Sequence, residues 1–268
     1  MISKKLSFIS ISALYTVISI LLNLEFLKGR YYFIMLGSLT ISLYIWFTFK
    51  RIYSGRMDFL KILFVEIYFI TTIFFLYFFP SLGISARIAY ILSAGIFSYF
   101  MMLAINVYEV SQKQSENIPL LQPAKLVIFM STILIVFVAS TLIYKFNIFG
   151  ESGLLNLISQ IMFFIIFFVL LIASLRWFFG AEIIGENVED LSVVSYRLSI
   201  FCIFFLLQAA IVLSFYPFEA IGRGVMLGAL VYITIGYVQA YLSHKLDNKF
   251  ILDSSIILIT DYLFVYFL

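Results

Sequence analysis

Eight long apolar runs decide what this chain can become. They cover 6–26, 31–49, 60–79, 88–108, 126–146, 154–177, 198–217 and 224–243. A helix of about 20 apolar residues crosses about 30 Å of hydrocarbon. Lipid offers the backbone no hydrogen bonds, so a spanning segment must satisfy its own, and helix is the way a single segment does so. A β-barrel would show alternating segments of about 10 residues, whereas these runs are continuous. The expected fold is all-α: one polytopic transmembrane helical bundle over 1–268, with eight spans. A ninth candidate, 251–268, carries Asp253 and Asp261, eight residues apart and near one helical face.

Composition supports the same conclusion. The chain is 64% hydrophobic and only 12% charged, whereas a soluble domain is about 45–50% apolar and about 25% charged. The 32 Phe and 18 Tyr suit lipid-facing and interfacial positions. The only cysteine, Cys202, excludes an intrachain disulfide and a cysteine-based metal site. Lys4 and Lys5 precede the first run, but that run exceeds a signal core of about 7–15 residues and no small-x-small site follows. It is expected to stay as the first span.

The prolines mark boundaries. Pro80 and Pro217 fall where the third and seventh runs stop, and Pro119 and Pro123 precede the fifth, where a missing N–H costs least. Trp46 and Trp177 lie near run ends, where amphipathic rings prefer the headgroup layer. With the N-terminus inside, the inside segments hold 12 of the 17 Lys and Arg residues and the outside loops hold five. The positive-inside bias therefore predicts a cytoplasmic N-terminus. The longer connections, 50–59, 109–125, 178–197 and 244–250, then all face the cytoplasm.

Several polar residues fall within these runs. Glu66 lies about two turns into the third, and a carboxylate in lipid is costly and by default a functional candidate. Its structural alternative is pairing with Lys61 or with another helix's base. Asp261 poses the same question in the last segment. Asn106, Gln160, Gln208 and Gln239 place one amide each in runs four, six, seven and eight. Such amides hydrogen-bond across helices, at about 0.6 kcal/mol on average, unless several share one cavity wall. Gly224, Gly228, Gly236 and Ala240 recur every four residues, or a multiple of four, along one face of the eighth run, and 224–228 reads GxxxG. That face is expected to pack closely, with Ala210 and Ser214 of the seventh run as a partner surface. Ala94 and Ser98 offer a similar face on the fourth.

Two stretches between runs suit contact with a protein partner. Residues 109–125 mix charges and amides around IPLLQPAK, with Leu120 and Leu121 able to dip into the interface. Residues 181–197 carry Glu182, Glu186, Glu189 and Asp190, whose acidity disfavours anionic lipid or nucleic acid there. An ordinary connection and a solvated face are the plain alternatives.

Familiar chemistries are missing. There is no GxxxxGK[ST] and no HExxH, and His244 alone cannot build a histidine-rich metal site. GESG at 150–153 is similar to the GxSG of rhomboid intramembrane proteases. Ser152, however, falls in an outside loop and His244 at the inner end of the eighth run, so a Ser–His hydrogen bond is out of reach. No pair of intramembrane aspartates on separate spans suggests an aspartyl-protease dyad. No cofactor is expected.

The segments INVYEVSQKQSENIPLLQPAK and QAAIVLSFYPF…GVMLGALVYITIGYVQAYLSHKL together resemble a family of uncharacterised polytopic membrane proteins from candidate-phylum bacteria. The resemblance implies a multi-pass protein of the bacterial cytoplasmic membrane and assigns no functional residue. The expected function is that of a non-enzymatic membrane subunit or scaffold that presents its inside loops to a partner. A small-solute or lipid transporter using Glu66 and the amides is the alternative from another class. A membrane-embedded lipid-modifying enzyme is the third.

Overall fold

A computed structural model describes residues 4–23, 30–53, 59–78, 83–114, 120–146, 153–180, 188–242 and 248–267. Among them the chain is all-helical, with no strand. The helices are α1 (Lys4–Asn23), α2 (Arg30–Tyr53), α3 (Phe59–Phe78), α4 (Ile84–Gln114), α5 (Leu121–Lys145), α6 (Gly153–Gly180), α7 (Val188–Ser214), α8 (Ala220–Leu242) and α9 (Asn248–Phe267). Among the described residues the first eight each contain a stretch long and apolar enough to cross a membrane.

The helices outlast the apolar runs. α4 continues to Gln114 and α5 begins at Leu121, so most of the polar stretch 109–125 is helix. Its remaining centre, 115–119, lies outside the described residues. In the same way 188–197 is the start of α7, and 181–187 lies outside the described residues. Hydropathy reports partition into oil, whereas a helix continues wherever residues such as Glu, Gln and Lys favour it. Pro123 sits in the first turn of α5, where its missing N–H breaks no intrahelical bond.

The chain forms two compact units, Met1–Ser131 and Thr132–Leu268, and the boundary falls inside α5. In the first unit α1 touches α2, α3 and α4. α2 shows how each face is chosen. Ile34, Ile41, Ile45 and Phe49 are buried on one side, while Met35, Leu36, Leu39, Leu43 and Phe47 form an exposed apolar stripe. An apolar stripe of that kind is stable only in lipid or under a partner. α3 is the most enclosed span, 61% buried against 22% for α2, so it forms the core of this unit. Phe64, Val65, Tyr68, Phe69, Thr72, Ile73 and Leu76 make its inner face. At Gly95 of α4 an added Cβ would run into Thr16 Oγ1 of α1, so these two helices meet closely there.

In the second unit α6 packs on α7, α7 on α8 and α8 on α9. The later half of α5 packs on α8. A Cβ at Gly224 would strike Thr141 Oγ1 and lie 2.9 Å from the Phe137 carbonyl. The small-residue face of α8 thus meets Ile133, Phe137 and Thr141, themselves four residues apart. Ala210, the expected partner of that face on α7, is buried, and its carbonyl accepts a hydrogen bond from Tyr144. Spacing identified which face is small; the neighbour that fills it is a property of the tertiary packing.

Candidate functional site

The first unit holds a polar seam within its apolar core. Lys61 Nζ of α3 donates to Glu109 Oε2 of α4 at 2.5 Å, and the two side chains are only 1% and 9% exposed. Glu66, the partner considered for Lys61 from the sequence, is not the one it pairs with. Residues five apart on a helix point about 140° away from each other at 3.6 residues per turn. Glu109 is instead one turn beyond Asn106, which is half-buried and also engaged.

Hydroxyls continue the seam. Ser12 and Ser98 join α1 to α4 at 2.9 Å, and Thr16 bonds back to the Ser12 carbonyl at 2.8 Å. Tyr68 Oη donates to the Ala94 carbonyl at 2.8 Å, and Tyr90 Oη to that of Thr72 at 3.4 Å. Tyr15 is fully buried against the Phe69 ring, and its hydroxyl closes no well-formed hydrogen bond among the described residues. Backbone carbonyls and neighbouring hydroxyls satisfy nearly all of this set, as low dielectric requires. Its arrangement is that of inter-helix fastening.

Glu66 stands apart. It is half-buried on the outward stripe of α3 that runs Phe59, Leu63, Glu66, Ile70 and Phe74. No hydrogen bond or ion pair reaches it among the described residues.

In the second unit four helix ends meet around Tyr144. Its hydroxyl donates to Ala210 O at 2.8 Å, and its own carbonyl accepts from Gln160 Nε2 at 3.4 Å. That carbonyl is among the last four of α5, which lack an intrahelical donor. Arg223, in the first turn of α8, lies 5.4 Å from the centroid of the Tyr144 ring and donates to Tyr216 O at 2.9 Å. Its buried Nε has no acceptor among the described residues. Gln160 therefore serves as a bond between helices.

The remaining candidates line separate crevices. Asp261 opens on about 450 Å³ walled by Ile133, Phe137, Val225, Gly228, Ala229, Tyr232 and Ile257. Gln208 is exposed and borders about 310 Å³ with Phe205, Val212, Tyr216 and Tyr262. A third crevice, about 330 Å³, lies between the facing ends of α7 and α8 and is lined by Arg197, Leu198, Phe201, Tyr237 and Tyr241. No sequence signal singled out Arg197, although its i, i+4 spacing to Phe201 matches that of Tyr237 to Tyr241. Gly236 and Ala240 are half-buried, and Ala240 is engaged. The Gln239 side chain, Ser152 and His244 lie outside the described residues.

Among the described residues no group of His, Cys, Asp and Glu could hold a metal ion. Cys202 is buried within α7. No protein-family model, curated protein or solved structure matches the chain.

Proposed function

We propose that this multi-pass protein is a non-catalytic subunit of a membrane assembly and that the outward stripe of α3 is its helix-docking face. Glu66 carries the reading. It lies about 10 Å along the helix from Phe59, at 1.5 Å per residue, on a stripe otherwise made of Phe, Leu and Ile. A carboxylate facing acyl chains costs several kcal/mol, by scales that put Asp at roughly 2.5–3.5 at a span centre. A partner helix that offers a donor or a base removes that cost. The polar seam supports the reading from the other side, because its groups bond to one another rather than to an open cavity.

The Lys and Arg distribution supports a cytoplasmic N-terminus, and with it a cytoplasmic position for the segment around 181–187. The resemblance stated above supports a bacterial cytoplasmic membrane.

The test is photo-crosslinking in native membranes, with a photoreactive residue at 63, 66 or 70 and, as controls, at 36 or 43 on the α2 stripe. A discrete protein adduct at the α3 positions and lipid alone at the α2 positions is the expected result. Lipid alone at all five positions would remove the docking face.

The Asp261 crevice favours a second reading, as a carrier of lipophilic cations. Its walls are apolar except for one carboxylate and the Tyr232 hydroxyl, a lining suited to an amine attached to a greasy body. Loss of such a cation's uptake into vesicles on Asp261→Asn, with Glu66→Gln unaffected, would favour it over the first.

A further inference from the structure

We propose that the crevice between the facing ends of α7 and α8 binds one acidic phospholipid, with its phosphate on Arg197. Depth carries the first part of the argument. The apolar run of α7 begins at 198, directly after Arg197, and that of α8 ends at 243, two residues beyond Tyr241. The crevice therefore straddles the boundary between oil and headgroups. The helices run in opposite directions, so Arg197 and Tyr241 form the outer layer of the crevice, and Phe201 and Tyr237 form the layer one turn deeper. A lipid has the same two layers, a charged group above an acyl chain.

Chemistry carries the second part. Arg197 is exposed and has no carboxylate partner among the described residues. Its guanidinium fork matches a phosphate with two parallel donors. The Tyr241 hydroxyl can donate to the same headgroup. Phe201 and Tyr241 are 51% and 50% exposed and Tyr237 is 43% exposed, so much of their ring surface is left for an acyl chain to cover. The volume, about 330 Å³, takes a phosphate and the first segments of a chain rather than a whole lipid.

The acidity of 181–197 argued against anionic lipid in that stretch. Arg197 lies at its membrane edge, however. Glu189 and Asp190 stand seven or eight residues earlier on α7, or about 10–12 Å further out at 1.5 Å per residue. Arg197 is thus two turns closer to the apolar run than the acidic residues that open α7.

The experiment uses the full chain in nanodiscs of phosphatidylcholine, with photoactivatable phosphatidylglycerol and phosphatidylcholine as probes and peptide mapping of the adducts. Phosphatidylglycerol is expected to label 197–201 and 237–241 about fivefold more than phosphatidylcholine, the worth of roughly one basic residue at an anionic surface. Arg197→Gln should abolish the preference and Arg197→Lys should keep part of it. Tyr237→Leu should leave the preference in place. Inorganic phosphate at millimolar concentration should not compete. Equal labelling by the two lipids overturns the proposal, as does a preference that survives Arg197→Gln. Competition by phosphate alone would show an anion site without a lipid and would also overturn it. Should Arg197→Gln not fold, the unaltered chain titrated with salt replaces it, and a preference unchanged by salt counts against the proposal. A failed docking face on α3 leaves this result untouched, because the two concern different helices.

Discussion

Lys61 and Glu109 hold α3 and α4 together by a hydrogen-bonded ion pair from which water is excluded. In such a site the penalty for removing each charge from water offsets most of their attraction. The pair is therefore worth little when intact, and much is lost when it is broken on one side only.

Replacing one partner, by Lys61→Met or Glu109→Gln, should destabilise the fold by roughly 3–5 kcal/mol, because a buried charge loses its counter-charge. Replacing both, as Lys61→Met with Glu109→Leu, should restore or exceed the parent stability. Thermal unfolding of the four proteins in one detergent gives the answer. A double variant as weak as the worse single one would mean that the pair contributes something beyond mutual compensation.

The two glycines of the GxxxG should behave differently. A Cβ at Gly224 meets the Phe137 backbone, which cannot step aside, while one at Gly228 finds its nearest atom, Phe137 Cβ, at an ordinary 3.6 Å. Gly224→Ala should cost about 1–3 kcal/mol from overpacking. Gly228→Ala should be neutral or slightly stabilising, since alanine favours helix by up to about 1 kcal/mol. Denaturant titration of both variants compares them directly, and equal losses would mean that α5 and α8 do not meet as described.

Tyr144 separates a hydroxyl from a ring. Tyr144→Phe removes the bond to Ala210 and should cost only about 0.6 kcal/mol, the average for a hydrogen bond inside a membrane protein. Tyr144→Ala also removes the ring, which lies 4.9 Å from Phe164 and beneath Arg223. It should cost roughly 3 kcal/mol or more, as aromatic truncations in cores do. Unfolding in bicelles resolves a difference of that size.

The thiol of Cys202 is buried. A membrane-impermeant maleimide should leave the native chain unlabelled and react only after denaturation in SDS. Against that background Asn187→Cys should label in inverted vesicles alone and Glu151→Cys in intact cells alone. The reverse pattern would put the N-terminus on the other side of the membrane.

The eight spans were legible because each depends on one local quantity, apolarity over about 20 residues. The helix ends were not, because Glu109, Gln112 and Lys113 favour helix while reading as loop to a hydropathy scale. The Lys61–Glu109 pair joins two spans near their ends, and only the folded packing brings those ends together. The helical angle alone sufficed to separate Lys61 from Glu66. The small face of α8 was visible in its spacing, but its contact with Phe137 and Thr141 was not, since only the tertiary packing brings α5 against it. The Arg197 crevice escaped notice because half of it comes from each of two antiparallel helices.

α4 is longer than the oil is thick. Its 31 residues rise about 46 Å at 1.5 Å each, against about 30 Å of hydrocarbon. The surplus includes the polar last turn, SQKQ at 111–114, which can stand among the headgroups. When the bilayer thickens or thins, this rod meets the hydrophobic mismatch by tilting or by showing more or less of that end.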